Sequence, residues 1–400
     1  RREFGLDAEV LLYDTTNFFT FLSTANDRCT VAQRGHSKAK RHDLRQVGLA
    51  LLVTRAFQVP LFHKVYEGNM PDVSLFPKLV QELIAHHRRL DAQTRATLVF
   101  DKGNVSEDAM EQLVLARQPF IAAVPLDRLP PLAATPLEQF QEIPRFPGTR
   151  AFSAQAEAWG ATCRAVVAYT ESFFTQQLAG VTHNLVKCQK KLLDLEKSLA
   201  RWREGKGRGK KPTVRQVHAS VRTILSAQFM TDLFHCSVTE QEGLPVLHYE
   251  VDHAALDTLT HHRLGRTLLL AFRTEDDAER TIAIYRSLTQ IEDVFKSMKN
   301  VDFLHWQPAY HWTNQKIKVH GLYCVLALLL ATLARKIAVQ ARIDLTLPAL
   351  LDELTAIREV AVIYPQGALA HPKDHITLSR MSPIQKKLAQ ALDIAAALKG

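Results

Sequence analysis

The sequence predicts an α/β fold, in which helices pack on the faces of a sheet. Up to residue 126, short apolar segments typical of strands alternate with segments of helical periodicity, in the order strand, strand, strand, helix, strand, helix, strand. A long helical hairpin, further strands and apolar helices follow. A chain of 400 residues is long enough for two or three modest domains, or for one domain with a large insertion.

Composition is that of an ordinary globular protein, with 46% hydrophobic and 23% charged residues. The net charge of +9 permits a polyanionic partner. The five cysteines are scattered without a pair at metal-ligand spacing, which favours a reduced intracellular protein over a zinc ribbon. No signal peptide opens the chain, and the longest apolar run, 322–334, is too short to span a bilayer and predicts a buried helix.

The first 126 residues contain acids where two strands are predicted to end. Asp14 closes the first strand and Asp101 closes a later one, and a buried acid at such a place is costly without a partner. Alternatively, Thr15, Thr16 and Asn17 after Asp14 form a capped turn. Strands are predicted at 8–14, 46–57, 59–66, 96–101 and 120–126, and helices at 73–88 and after Ser106 to about 116.

A basic segment lies between the first two predicted strands. Glycine and serine in residues 34–46 favour a loop, and the Arg/Lys spread suits contacts to backbone phosphates, although such a loop is most often solvated surface. The candidate DNA-binding cations here are Arg34, Lys38, Arg41 and Arg45, together with Lys102 directly after the second acid.

The second half begins with a predicted antiparallel helical hairpin, 171–203 and 214–224, after a proline-rich loop. Its tip, residues 203–212, is rich in glycine and cations and cannot be helical. The tip is either a solvated turn or a DNA contact through Arg208, Lys210 and Lys211. Further strands are predicted at 234–238, 245–251 and 265–273, and C-terminal helices at 317–339, 348–359 and 383–397.

One predicted helix, from about residue 275 to 299, has an apolar face and, next to it, a line of polar residues. An apolar stripe recurs at spacings of three and four, which predicts a buried face. Tyr285, Glu292 and Lys299 are seven residues apart each time and are expected to form a neighbouring line. The alternative is a solvated face in which Glu292 and Lys296 form an ordinary i,i+4 pair.

Asp14, Asp101 and Glu292 are expected to converge at one edge of the sheet, because strand ends and an adjoining helix meet there. Three carboxylates at one place repel unless cations lie between them. Hard divalent cations prefer all-oxygen ligands, and two such ions support in-line displacement at a phosphodiester. A basic protein with this site is expected to act on nucleic acid.

The same residues carry a resemblance to a known family. Tyr285, Glu292 and Lys299 match three positions of a Y-x2-R-x3-E-x6-K signature. The other similar segments, in order, are Tyr13-Asp14-Thr15-Thr16, Arg34-Gly35-His36-Ser37-Lys38, Asp43-Leu44-Arg45-Gln46, Gly68-Asn69, Phe100-Asp101-Lys102-Gly103-Asn104-Val105-Ser106 and Gln307-Pro308-Ala309-Tyr310-His311. On these motifs the chain resembles the bacterial insertion-sequence transposases of the DDE type, in the group with the Y-R-E-K signature.

The resemblance implies a ribonuclease-H-like core, with Asp14, Asp101 and Glu292 as ligands of two Mg²⁺ ions that Mn²⁺ can replace. It implies that Tyr285 and Lys299 hold DNA phosphates, and that a homodimer in the bacterial cytoplasm, at the nucleoid, joins transposon ends to target DNA. The implied organisation is a core at 1–126 and 261–305, an insertion at 127–260 with the helical hairpin and strands, and C-terminal helices at 306–400.

Two features depart from the family pattern. Leu288 occupies the arginine position of the signature, and Arg286 lies two residues away, about 200° around a helix. Only 13 residues precede Asp14, so we expect a fragment or truncated copy without its DNA-end-binding region. A non-catalytic DNA-binding relic and a metal-dependent nuclease without strand transfer remain as alternatives. Arg286 and Lys296 complete the candidate DNA contacts.

Overall fold

The structure is a computed structural model that describes residues 4–35, 41–90, 96–300, 302–304, 306–307, 310–363 and 375–397. The strands are β1 (Val10–Thr20), β2 (Arg45–Thr54), β3 (Pro60–Glu67), β4 (Thr97–Phe100), β5 (Phe120–Val124), β6 (Gln141–Glu142), β7 (Thr149–Ala158), β8 (Ala161–Thr170), β9 (Phe234–Gln241), β10 (Leu244–Val251), β11 (Arg266–Phe272), β12 (Glu359–Val362) and β13 (His375–Leu378).

Helices of very different length connect these strands and cover the sheet. They are α1 (Asp72–Leu90), α2 (Glu107–Leu115), α3 (Pro130–Ala133), α4 (Glu171–Arg203), α5 (Val214–Ile224), α6 (Met230–Leu233), α7 (His253–His262), α8 (Ala278–Arg286), α9 (Thr289–Lys299), α10 (Asn314–Gln340), α11 (Leu347–Thr355), α12 (Pro383–Ala391) and α13 (Ile394–Ala397).

Nine of the described strands form one mixed sheet, in the order β3-β2-β1-β4-β5-β11-β8-β7-β6. β1 pairs antiparallel with β2 and parallel with β4, and β4 pairs parallel with β5. From β11 onward every pairing is antiparallel. The predicted α/β class is therefore confirmed, as a large mixed sheet with helices on both faces.

The two faces of the sheet bury separate cores. Along β1, Leu11 and Tyr13 face a core that α1 and α2 cover, whereas Val10, Leu12 and Phe18 face the side of α8, α9 and α10. This alternation follows from the two-residue period of a strand. Even-numbered residues of β1, including Asp14, are consequently directed toward the α9 layer.

β1 is longer than the sequence indicated, so the predicted turn at Thr15 and Thr16 is wrong. The strand continues to Thr20, which pairs with Arg45 of β2. The ring of Phe18 stacks on that of Trp306 with centroids 4.4 Å apart, which buries a side chain well past Asp14. Asp14 therefore lies within the strand and not at its end.

Three strands, β6, β7 and β8, lie in the range where an insertion was expected, and they extend the same sheet. The sequence did not reveal β7, because alternate positions along it carry small alanines in place of the β-branched residues that mark strands. The remainder of that range forms a separate core, in which α4 and α5 pack on β9 and β10. The predicted helix 171–203 and the nonhelical tip after it are confirmed.

The predicted single helix of residues 275–299 is interrupted. α8 ends at Arg286 and α9 begins at Thr289. Between them the backbone tightens: Ser287 N–H bonds to the Ile284 carbonyl at 3.1 Å and Leu288 N–H to the Tyr285 carbonyl at 3.0 Å, both across three residues. Tyr285 and Glu292 therefore do not lie on one continuous helical line.

α10 is buried on one side only, which corrects the prediction of a buried helix. Gly321 lies where a Cβ atom would come within 2.7 Å of the Trp306 ring and 2.8 Å of a Val65 methyl, so the helix approaches β3 closely there. The opposite side leaves Leu322, Tyr323 and Leu330 exposed. By length and composition alone α10 could cross a membrane, but core helices of soluble proteins pass the same test.

Among the glycines that the structure describes, Gly68 leaves the least room for a Cβ atom. A Cβ atom there would lie 1.8 Å from the backbone carbonyl oxygen of Gln46, whose side-chain amide donates to the Gly68 carbonyl at 2.8 Å. Gly35 also packs against this pair. Segments that the sequence marked as motifs thus meet here in one tightly packed contact between the basic segment, β2 and the end of β3.

We expect Gly68→Ala to lower the free energy of unfolding by roughly 1–3 kcal/mol or more, because the clash involves backbone that can yield only by moving a strand. Denaturant unfolding measures this. Gly103→Ala is the matched control, since no atom lies within 4 Å of a Cβ built there. Equal stability of the two variants would contradict the close approach at Gly68.

Candidate active site

The register between β1 and β4 brings two of the predicted acids together. Leu12 pairs with Val99 in the parallel ladder. Asp14 and Asp101 each lie two residues further on, so both carboxylates follow the same face of the sheet. The backbone N–H of Thr15 donates to Asp14 Oδ1 at 2.7 Å, which fixes that carboxylate against the strand. Asp14 is partly buried and Asp101 is exposed.

Asp101 lies where the chain leaves β4. Its backbone is extended, and a 3₁₀ turn, Lys102–Asn104, follows at once. The Asn104 N–H donates to the Asp101 carbonyl at 3.0 Å, so the turn holds the residue at the strand end. Ser106 then caps α2 through a bond from Ala109 N–H, as the sequence predicted. Lys102 is exposed directly beside the acid.

Packing of α9 places Glu292. Ile291, Phe295 and Met298 are buried against the sheet, and the helix contacts β1. Glu292 lies next to this stripe, exposed, in the first turn of α9, where the helix dipole favours a carboxylate. The expected pair with Lys296 is not formed, because Lys296 Nζ bonds to Asp293 Oδ1 at 2.8 Å instead.

Tyr285 contacts the second acid and lies in the field of the other two. Its hydroxyl donates to Asp101 Oδ1 at 2.8 Å. Burial raises the pKa of Tyr285 far above its usual range, and the charges of Asp101, Asp14 and Glu292 raise it further. The side chain therefore bonds directly to Asp101, and the charges of Asp14 and Glu292 act on it from a greater distance.

The donor set fits a hard divalent cation, since it consists of carboxylate oxygens. As the side chains stand, no three His, Cys, Asp or Glu side chains among the described residues are close enough to hold a metal ion. Mutual repulsion keeps carboxylates apart when no cation lies between them. The Tyr285 hydroxyl meanwhile occupies one oxygen of Asp101.

Lys299 lies beside the same strand. Its Nζ donates to Thr16 Oγ1 at 2.7 Å and stands 5.5 Å from the centre of the Phe18 ring. Thr16 is two residues beyond Asp14 on the same face of β1. The end of α9 therefore presents a cation next to the carboxylates, although the helix is broken before Glu292.

Arg286 and Leu288 are directed elsewhere. The Arg286 guanidinium donates to the hydroxyls of Thr149 and Thr170, at 2.9 and 3.0 Å, and stacks 4.3 Å from the centre of the Phe146 ring. Burial lowers the pKa of Arg286. Leu288 is half-buried in the core under α9. Arg286 is thus a packing residue at the β7–β8 edge, and neither residue supplies the cation of the signature.

The remaining predicted cations belong to the basic segment, residues 34–46, and to the tip of the helical hairpin. Arg34 is exposed, Arg41 pairs with Asp43 at 2.9 Å, and Arg45 donates to the Asn26 carbonyl at 2.9 Å. Lys38 lies outside the described residues. The hairpin tip, with Arg208, Lys210 and Lys211 exposed, stands at the end of the 33-residue α4, about 50 Å from β8.

Sequence reasoning missed the role of Thr16 and a group of exposed aromatic side chains. Thr16 was expected in a turn, whereas it is the buried acceptor for Lys299. Phe21, Tyr310 and Trp312 come together from distant parts of the chain and remain more than half exposed. Tyr310 lies in one of the segments similar to the family, but no pattern predicts that the three rings meet, because their meeting depends on how the loop after β1 folds onto the start of α10.

Comparison with known proteins finds little. No protein-family model and no curated protein matches the chain. Among solved structures, the chain is similar to the piggyBac transposase in a cryo-EM structure of its synaptic complex with hairpin DNA, with a TM-score of 0.43 and 8% identity. The match covers 88% of this chain and 52% of that one, so the chain spans about half the length of that transposase. A TM-score this low carries no argument about function.

Replacing Tyr285 by Phe removes the hydroxyl that donates to Asp101, and we expect a loss of about 1 kcal/mol in the free energy of unfolding near pH 8. Above pH ~10 the unfolded wild type releases its phenol proton while the folded protein keeps it, because the folded-state pKa is raised. Wild-type stability then falls as pH rises, and the difference from Tyr285→Phe shrinks.

Urea unfolding at about pH 8 and about pH 10.5 measures this change. Tyr323→Phe is the matched control, since Tyr323 is 67% exposed on α10 and its loss should leave stability unchanged at both pH values. A gap between wild type and Tyr285→Phe that is constant with pH would show that the acids do not hold this phenol protonated.

Proposed function

We propose that the chain is the catalytic domain of a DDE-type DNA transposase of the Y-R-E-K group, built on a ribonuclease-H-like core. The observation that carries the proposal is the parallel register of β1 and β4, which aligns Asp14 with Asp101 beside the helix of Glu292. The order β3-β2-β1-β4-β5, three antiparallel strands followed by two parallel ones, supports the same core.

In this proposal Asp14, Asp101 and Glu292 hold two Mg²⁺ ions, which Mn²⁺ can replace. When bound, such ions activate the attacking water or 3′-hydroxyl and stabilise the leaving oxygen of a phosphodiester. Asp14 is already oriented by the Thr15 N–H. Asp101 would hold a cation with the oxygens that it presents beside Tyr285, and the Tyr285 O–H would be the donor for a DNA phosphate there.

Lys299 holds the DNA backbone next to the scissile phosphate. Its ammonium group lies on the Asp14 face of β1, where it donates to the Thr16 hydroxyl, and a phosphate oxygen can accept a further hydrogen bond from the same ammonium group. Hydrolysis at a transposon end then leaves a 3′-hydroxyl in the same site, where it attacks target DNA. Joining forms one phosphodiester bond, between the 3′-hydroxyl and the target phosphate, and breaks one in the target DNA.

The proposed partner is double-stranded DNA, as transposon terminal inverted repeats and as target, bound by a homodimer in the bacterial cytoplasm at the nucleoid. Arg34 and Lys102 are exposed and open to phosphates. Arg41 and Lys296 are engaged in exposed ion pairs, which are worth little and can be exchanged for DNA. The exposed cations of the hairpin tip, about 50 Å from β8 along α4, would meet DNA at a separate place.

A second candidate is a DNA-binding relic without catalysis. The observation that favours it is the position of Arg286 and Leu288: one is held by hydroxyls at the β7–β8 edge and the other is packed in the core. The signature cation is therefore absent from the acid cluster, which would weaken the grip on the reacting phosphate.

We expect a strand-transfer assay with pre-cut terminal-repeat DNA and Mg²⁺ to give joined product. Asp14→Asn, Asp101→Asn and Glu292→Gln should each reduce joining by at least about 100-fold, because each removes a charge that positions the reacting groups. Asp293→Asn is the control, since this neighbouring acid on α9 pairs with Lys296 and should retain activity. The end sequence comes from genomic DNA flanking the reading frame.

The outcomes separate the candidates. DNA binding without cleavage in either metal supports the relic, and cleavage without joining supports a nuclease that lacks strand transfer. Full activity of Asp101→Asn would show that the assigned acids are not the catalytic ones.

Metal binding is expected to be visible without any reaction. Addition of Mg²⁺ or Mn²⁺ should raise the melting temperature of the wild type by a few degrees, since a ligand at about 100 times its Kd adds about 2.7 kcal/mol to the folded state. EDTA should reverse the rise. The triple variant Asp14→Asn, Asp101→Asn, Glu292→Gln should show no rise, and an equal rise there would place the metal elsewhere.

A further inference from the structure

A second site lies beyond the far end of β1. The loop after the strand, residues 21–28, and the segment that leads into α10, residues 310–316, enclose a cavity of about 650 Å³. The residues that matter for its chemistry are Phe21, Asn26, Arg28, Tyr310, Trp312 and Lys316. None of the three carboxylates of the candidate active site lines it.

Aromatic rings dominate the cavity and remain open to solvent. Phe21 is 54% exposed, Tyr310 70% and Trp312 65%. The Phe21 and Tyr310 rings are 6.1 Å apart at an angle of 37°. Single exposed apolar residues are common, but three large rings around one cavity form a surface that a flat, apolar group would cover.

The walls of the cavity are already fixed in place. The side-chain amide of Asn26 donates to the Trp312 carbonyl at 3.0 Å, and Arg45 of β2 donates to the Asn26 carbonyl at 2.9 Å. Asn314 Oδ1 accepts the backbone N–H groups of Thr30 and Val31 at 2.9 and 3.0 Å. A ligand would therefore meet a preformed platform and would lose little energy in ordering it.

Charge indicates what kind of group the platform receives. Arg28 and Lys316 line the cavity, and neither side chain forms an ion pair with another residue in the described part of the chain. Lys316 lies in the first turn of α10, where the helix dipole adds to the positive potential. Aromatic faces beside cations are the features with which proteins bind single-stranded nucleic acid.

The cavity lies beyond the end of the strand that carries Asp14. Phe21 is seven residues beyond Asp14, about 23 Å along an extended strand. Thr16 with Lys299 lies between them on β1. A DNA strand held by Lys299 that continues along β1 would reach the cavity.

We propose that this cavity binds an unpaired nucleobase of a DNA strand, stacked on Tyr310 and Trp312, with the adjoining phosphate held by Arg28 and Lys316. The proposal rests on the DNA-binding function proposed above and specifies which structural state of DNA the protein recognises. Asp27 also lines the cavity, and its carboxylate can accept a hydrogen bond from the amino group of a base. An apolar side chain from a second copy would bring no anion to the two cations.

The test uses the full chain and a single-stranded 12-nucleotide oligo-dT that contains one 2-aminopurine, in EDTA so that no cleavage occurs. Binding is expected to quench the 2-aminopurine fluorescence through stacking. Tyr310→Ala and Trp312→Ala should abolish the quenching and weaken binding roughly 5- to 150-fold each, as measured by anisotropy. Trp312→Phe should retain most of both effects. A blunt duplex of the same sequence should show no quenching.

Tyr323→Ala is the matched control, because Tyr323 is 67% exposed on α10 but does not line the cavity. Trp312→Ala keeps the hydrogen bond to Asn26, since that bond is made by the backbone carbonyl of Trp312; circular dichroism checks that the variant is folded. Arg28→Ala together with Lys316→Ala should weaken binding and flatten its salt dependence while leaving the quenching of the bound base.

Quenching and affinity that are unchanged in both aromatic variants would overturn the proposal. A self-association that Trp312→Ala abolishes, without any effect on oligonucleotide binding, would also overturn it and would assign the cavity to a contact between copies. The two proposals can fail separately. If strand transfer is absent but quenching still depends on Trp312, only the catalytic assignment is refuted. If strand transfer occurs but quenching does not depend on Trp312, only the nucleobase site is refuted.

Discussion

The parallel pairing of β1 with β4 is the constraint on which the candidate site depends. Strands that are parallel cannot be joined by a tight turn, and more than 70 residues separate β1 from β4 in the chain. Their register aligns Leu12 with Val99, and the same offset carries Asp14 and Asp101 to one face. A shift by one residue would turn either acid toward the opposite core.

Like charges at one place need a compensating interaction. Tyr285 supplies it in part, because its hydroxyl donates to Asp101 and remains protonated against all three acids. The same hydrogen bond links α8 to the end of β4 across the sheet. Asp101 is thus held by a neutral donor.

The interruption between α8 and α9 allows one stretch of sequence to make two sets of contacts in different directions. α8 must direct Arg286 to the β7–β8 edge and Tyr285 to Asp101. α9 must bury Ile291 and Met298 while Glu292 and Lys299 stay near β1. A straight helix has one fixed rotation per residue, so the tighter 3₁₀ turn at 287–288 changes the direction of the second part.

The sequence by itself determined the α/β class, most element boundaries and the helical hairpin, because periodicity and capping are local properties; the three acids that it singled out stay a prediction. It could not reveal β7, whose alanines lack strand propensity, or the extension of β1, which depends on Trp306 stacking with Phe18. Only the tertiary structure decided that Arg286 packs away from the acids and that exposed aromatic rings meet at one cavity. Both depend on contacts between residues far apart in the chain, and no local pattern encodes those distances.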